Sequence, residues 1–431
     1  MLYYSTSKNS VPVNFKEAVI QGLAPDKGLY FPEQIPLFSP HFLEHFKSYS
    51  KEELAFEIIS PYVGDCIPKD VLMGICAETV NFDFPLVPIT ESIYSLELFH
   101  GPTLAFKDVG ARFLSRCLQY FCQEDKQKTT ILVATSGDTG GAVANSFLQV
   151  ENTQVVILYP SQKVSEIQEL QLTTLGHNIL ALEVKGDFDD CQRMVKTAFA
   201  DTALNQHMIL SSANSINIAR WLSQQFYYAF AMQQWQHDGP PVFAVPSGNF
   251  GNICAGILAR LSGLPTDIFV AACNSNDAFY DYYVSGTYHA KPSIATISNA
   301  MDVGNPSNIP RLFEMYKQDY ASIKKNVFAA SIDEASTKAT LQKVFEQEQY
   351  ILDPHGAVAY AGLEKYLALH PNKKGIILET AHPIKFKPSV EPLIHQAIEV
   401  PVSVQHLFGA EKKNICIEAN DDELKVILYS L

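Results

Sequence analysis

At 431 residues the chain is too long for one ordinary core, and its apolar (47%) and charged (18%) fractions are those of a folded globular protein. Lys and Arg number 32 against 46 Asp and Glu, a net charge of −14, which argues against nucleic acid and anionic membranes as partners but leaves room for a local anion pocket. The eight cysteines are scattered without a C-x-x-C pair, so no metal is expected and the thiols read as reduced interior residues. The opening MLYYSTSKNS lacks a basic-then-apolar leader and no apolar run reaches spanning length, so a soluble, cytoplasmic monomer is expected.

Residues 1–80 are rich in proline and aromatic side chains, with an amphipathic stretch at Ala55, Ile58, Ile59 and Tyr62 and no catalytic constellation. They form one expected unit. Residues 81–238 and 239–431 form two more, divided at His237-Asp238-Gly239-Pro240-Pro241. The segment LFHGPTLAFKD, 98–108, sets Lys107 between an apolar tripeptide and a predicted helix, with Asp108 as its expected N-cap and Phe113, Cys117 and Phe121 as the stripe behind. A helix start and an apolar setting both favour the neutral amine that Schiff-base chemistry needs. On this segment alone a surface lysine closing a loop is the better reading, because lysines are common.

Strands are expected at 129–135, 154–159, 178–184 and 208–211, with helices at 141–148, 164–175 (ended by Gly176) and 189–203, and one long aromatic helix over 216–235. The second half repeats the alternation: strand 242–245, helix 253–261, strand 268–272, helices 335–347 and 357–369, strand 375–379. Such β-α-β runs predict parallel sheets, with ligands at the carboxyl ends of the strands.

Two strand-to-helix loops have the composition of anion cradles. Thr135-Ser136-Gly137-Asp138-Thr139 offers glycine, hydroxyls and free N–H groups, though an ordinary turn with an Asp cap would look alike. Pro246-Ser247-Gly248-Asn249-Phe250-Gly251-Asn252 matches neither the P-loop nor G-x-G-x-x-G, which disfavours nucleotides, yet it could hold a phosphate. Asn214-Ser215-Ile216-Asn217 with Arg220 suits a second phosphate or a carboxylate, or is simply a capped helix start. Thr380, after the last strand, could turn its hydroxyl into the crevice, while His382 reads as a core histidine ahead of a turn proline. The turn-rich stretch 299–308 suggests no chemistry, and His100, His355 and His382 have no metal-ligand spacing.

In chain order QGLAPDKGLYFP, LFHGPTLAFKD, ATSGDTG, NSINIAR, VPSGNFGN, NAMDVGNPSN, DPHGAVAY and TAHPIKF resemble the threonine synthase family, in its bacterial and fungal branch. The resemblance implies an α/β fold with two open, mostly parallel-sheet domains of the tryptophan-synthase-β-like (fold type II) architecture and an N-terminal α/β unit. It implies pyridoxal 5'-phosphate held as a Schiff base on Lys107. Gly248, Asn249, Phe250, Gly251 and Asn252 would surround the cofactor phosphate, Thr380 would face the pyridine nitrogen, and Asp138 would lie near the ring hydroxyl. Thr103, Ser136, Gly137 and Thr139 would lie by the substrate, with Lys163, Asn214, Ser215, Asn217 and Arg220 as candidates for its phosphate. The implied reaction turns O-phospho-L-homoserine and water into L-threonine and phosphate. Alternatives are another fold-type II lyase, such as a threonine dehydratase or a phospho-lyase, and a cofactor-binding homologue without turnover. The chain departs from the family pattern at Asn252 (often Asp), Glu379 (Gly) and Ile384 (Ala).

Overall fold

The β-branched, apolar runs between turn residues become the strands of two parallel sheets in a computed structural model that describes residues 1–123 and 128–431. The larger sheet has the order Val327–Ser331, Phe269–Cys273, Val242–Pro246, Gly375–Glu379, Ile93–Glu97, Leu86–Pro88, parallel except for the last strand at one edge. The smaller sheet, all parallel, has the order Asn414–Glu418, Ile179–Lys185, Thr153–Pro160, Thr129–Ala134, Ile209–Ser211. Strands Phe269–Cys273 and Gly375–Glu379 are buried along their whole length, as expected where helices cover both faces. Strand membership crosses the 238/239 boundary in both directions: Ile93–Glu97 lies in the larger sheet and Asn414–Glu418 in the smaller.

The N-terminal unit is a three-stranded antiparallel sheet, Val13–Asn14, Leu2–Ser5, Tyr30–Pro32, with helices packed on it. It is stitched to the rest by the buried Arg311. That guanidinium lies 4.3 Å from the Trp221 ring centroid and donates to the carbonyls of Tyr30 (3.2 Å) and Ile216 (2.7 Å) and to Asn308 Oδ1 (2.8 Å). Among the described residues no helix is long and apolar enough to cross a membrane.

Four local expectations need correction. The helix expected over 216–235 is two, Ile218–Leu222 and Gln225–Gln234. At the break Gln224 N–H turns to Trp221 O (3.2 Å) while Gln224 Nε2 donates to Arg220 O (2.8 Å), so a side chain takes the carbonyl that continuing backbone would use. The helix expected over 189–203 also divides, into Phe188–Ala200 and Thr202–His207, because Asp201 caps the second piece. Gly176 does not terminate its helix: Glu166–Thr173 ends at Thr174, and Gly176 (φ 66°) makes the turn beyond. Asp108 is not an N-cap. The helix Lys107–Phe121 starts after Phe106, and the buried Asp108 reaches back to accept from the Thr103 N–H (2.9 Å) and hydroxyl (2.5 Å).

Candidate active site

Strands Ile93–Glu97 and Gly375–Glu379 are parallel neighbours, so both chains leave the sheet at the same edge. There they pair again: Phe106 N–H donates to Thr380 O (2.9 Å), His382 N–H donates to Leu104 O (3.1 Å), and Ala105 bridges Ala381. This pairing brings Lys107 and Thr380 together from distant points in the sequence. The loop before Lys107 is held at three more points. The buried Tyr227 hydroxyl donates to Phe106 O, Gln171 Nε2 donates to Thr103 O (3.0 Å), and Lys385 Nζ donates to the same carbonyl (2.6 Å).

Lys107 Nζ lies 3.4 Å from Asp138 Oδ2. Asp138 opens the helix Asp138–Phe147 at the end of the smaller sheet's strand Thr129–Ala134. Gly137, at φ 149°, packs so closely on Gln168 that a Cβ would sit 2.6 Å from its amide nitrogen. Gln168 Nε2 donates to Asp138 Oδ1 (2.9 Å), and Lys385 Nζ lies 2.8 Å from that oxygen. Burial pushes the Lys107 amine below the ordinary lysine range; Asp138 opposes the shift, while the charges of Lys385 and Arg220 add to it. Burial alone would raise the Asp138 carboxyl, but Lys385 and Lys107 outweigh burial and hold it well below the usual carboxylate range. The hydroxyls of Ser136 and Thr139, both half-buried, donate to no group among the described residues.

The second loop turns through Phe250, a left-handed residue (φ 62°), into the helix Gly251–Leu261. Among the described residues, the N–H groups of Gly248, Asn249, Phe250 and Gly251 donate to no protein group, which leaves four adjacent donors at a helix N-terminus. Gly248 fits only because it lacks a side chain: a Cβ there would be 2.5 Å from Met301 Cα. The cradle's shape is set from outside. Asn249 accepts at its carbonyl from Asn308 Nδ2 (2.9 Å) and at Oδ1 from Ser307 N–H (2.6 Å). Asn249 Nδ2 donates to Ser215 Oγ (2.9 Å), which joins this cradle to the 214–220 segment. Asn252 lies behind the loop, where the Tyr228 hydroxyl donates to its Oδ1 (2.8 Å). The donor set fits a phosphate at the helix start, an aldehyde at Lys107 and a ring between Thr380 and the Asp138 side, with the Thr380 hydroxyl unspent.

The other candidates divide. Arg220 is buried, donates to Ala213 O (2.5 Å), keeps its Nε without a protein partner, and is pushed down to about 10 by burial. Asn214 is half-buried beside it with its amide uncommitted. Asn217 is committed elsewhere: its amide donates to Val19 O (2.9 Å) and accepts from Ala219 N–H (3.0 Å). The Thr103 hydroxyl is likewise taken by Asp108. Lys163 is exposed and contacts none of the others. Sequence reasoning missed Lys385, Gln168 and Asn308. The first stands in TAHPIKF and the last in NAMDVGNPSN, so the motifs themselves were the available signal.

Three families match the chain: pyridoxal-phosphate dependent enzymes over residues 85–379, the threonine synthase N terminus over 2–80, and the threonine synthase C-terminal region over 356–427. Threonine synthase from Serratia marcescens is 41% identical over 433 residues, covering 100% of both chains. Among solved structures, threonine synthase from Escherichia coli superposes with a TM-score of 0.92 at 38% identity and covers 100% of both chains. The pyridoxal-phosphate-bound threonine synthase from Brucella melitensis gives a TM-score of 0.94 at 32% identity, covering 100% of this chain and 99% of that one. Pyridoxal phosphate is the cofactor of this chain. With a lysine, a threonine and a loop of unspent N–H donors brought to the same strand ends, and with matches of this length, the chain belongs to the threonine synthase family of pyridoxal-phosphate enzymes.

Proposed function

We propose that this protein converts O-phospho-L-homoserine and water into L-threonine and phosphate, with Lys107 as the residue that holds the cofactor and moves the protons. The observation that carries this reading is the Lys107 amine, buried 3.4 Å from Asp138 and below its ordinary range, at a crevice with two separate sets of anion donors. Pyridoxal phosphate, when bound, supplies the electron sink that makes protons next to the substrate's amino carbon removable. Lys107 Nζ takes the proton from the substrate's Cα, gives that proton up again, and as a restored neutral amine takes one from Cβ as the Cγ–O bond breaks and phosphate leaves with the electron pair; a proton added at Cγ and water added at Cβ complete threonine. Gly248, Asn249, Phe250 and Gly251 grip the cofactor phosphate, and the Thr380 hydroxyl, unlike a carboxylate, leaves the ring nitrogen without an enforced proton. Ser136 and Thr139 present unspent hydroxyls to the substrate carboxylate. Arg220, Asn214 and Ser215 serve its phosphate, because a buried guanidinium with a free N–H next to an uncommitted amide is built for an anion. Cytoplasmic location and a monomeric state are part of this proposal. The test is phosphate release from O-phospho-L-homoserine with threonine measured as product. Lys107→Ala should lower it at least about a hundredfold; a variant that kept full turnover would overturn the assignment. No observation favours a dehydratase or a silent homologue.

A further inference from the structure

Asp138 is shared by two lysines, and only one of them has a task in the reaction. Lys385 is fully buried, its Nζ 2.8 Å from Asp138 Oδ1 and 2.6 Å from the Thr103 carbonyl in the loop that carries Lys107. It stands on the short turn Pro383–Phe386, directly after the strand that ends at Thr380. A buried ammonium with one carboxylate and one carbonyl is an expensive way to brace a loop, since an apolar side chain of similar length would pack there without desolvation. The charge therefore calls for a reason.

We propose that Lys385 is a positioning residue for the reaction: its ammonium occupies one oxygen of Asp138, so that Lys107 meets a half-neutralised carboxylate and keeps an amine free to take and return protons. This rests on the reading of Lys107 as the proton carrier. The charge balance around the pair supports it. Lys107 is faced by Asp138 from the helix Asp138–Phe147, by Lys385 from the turn, and by Arg220 from Ile218–Leu222. Lys385 is faced by Asp138, by Lys107, by Asp108 on the Lys107 helix, and by His382 on its own turn. Without Lys385, Lys107 would lose a like charge and gain sole possession of Asp138; both changes favour the protonated, idle amine. Gln168, on the same oxygen as Lys385, fixes the carboxylate's orientation but brings no charge.

The experiment uses two readouts on the full-length chain. The first is the pH dependence of Lys107 acetylation by trace acetic anhydride in cofactor-free protein, followed by peptide mass spectrometry. The second is the acidic limb of kcat for phosphate release by the holoenzyme, because Lys107 is a free amine only once substrate has displaced it from the cofactor. In Lys385→Gln, which keeps a donor and drops the charge, both midpoints should rise by about one pH unit; Lys385→Arg should stay near wild type. Lys385→Gln with lower activity but unmoved midpoints would reduce Lys385 to a brace and overturn the proposal. Should Lys385→Gln not fold, Asp138→Asn leaves the like charge without its carboxylate, so the acetylation midpoint should fall, and an unchanged midpoint overturns the proposal equally. Full turnover by Lys107→Ala would sink the function assigned to Lys107 while leaving the acetylation result to stand on its own.

Discussion

Gly248 shows how narrow the tolerance of a single residue can be here. An added methyl would sit 2.5 Å from Met301 Cα and 3.1 Å from Ala300 O, both backbone atoms that cannot swing aside. Gly248→Ala should therefore push the 299–301 turn away and open the phosphate cradle, costing about 1–3 kcal/mol of stability and weakening cofactor retention, as read by the visible absorbance left after dialysis. Glu379 tells a related story. This departure from the family pattern is fully buried, its Oε1 accepts from Asp353 N–H, and burial together with Asp353 raises its carboxyl well above the usual range. It fits because Gly356 faces it: a Cβ there would come within 1.6 Å of Glu379 Oε2. Gly356→Ala should cost at least about 2 kcal/mol in urea unfolding, and Glu379→Ala in the same chain should recover most of that loss. The places of Lys107, Thr380 and the 248–251 loop at the ends of strands were legible, because short apolar runs mark the strands and glycines and hydroxyls mark the turns after them. Which polar side chains are already spent was not legible: Thr103 and Asn217 look as available as Ser136 on paper, and only packing shows that Asp108 and Val19 O have claimed them.

At the scale of the element, the turn Pro383–Phe386 is capped by His382, whose Nδ1 accepts from the Ile384 N–H (3.2 Å). An accepting nitrogen must be unprotonated. Burial, with His100 next, pushes this imidazole down to about 4. Its folded value is thus below the unfolded one near 6.5, and the unfolded chain takes up the proton first as pH drops. The stability it contributes is present above about 6.5 and is lost between about 6.5 and about 4, on the order of 2–3 kcal/mol. Urea midpoints over that window should slope less steeply in His382→Asn, whose side-chain oxygen can keep the cap. Strand positions were readable because a parallel strand buried on both faces is a short, uninterrupted apolar run. The breaks in helices were not: Gln224 and Asp201 each interrupt a helical pattern through a local hydrogen bond that competes with the backbone and leaves the apolar periodicity intact.

At the scale of the molecule, Arg311 holds three regions that have no sequence proximity: Tyr30 in the N-terminal unit, Ile216 in the candidate 214–220 segment, and Asn308, which braces the 248–251 loop through Asn249 O. Arg311→Met should leave those carbonyls short of donors and lower stability by about 2–4 kcal/mol, and limited proteolysis should release the N-terminal unit sooner than in wild type. Two α/β halves could be read from the alternation of elements, but the crossing of Ile93–Glu97 and Asn414–Glu418 into the opposite sheets could not, since strand order depends on long-range pairing that local pattern does not encode. That crossing has a temporal side. The loop bearing Lys107 is secured by Thr380 and Ala381, and strand Ile93–Glu97, paired with Leu86–Pro88 on its other side, joins the sheet's remaining strands through Gly375–Glu379. During synthesis Lys107 leaves the ribosome well over two hundred residues before the strand Gly375–Glu379 that seats its loop. A nascent chain ending at residue 374 should therefore acquire no cofactor colour, and uptake of the prosthetic group should wait until Gly375–Glu379 has been made.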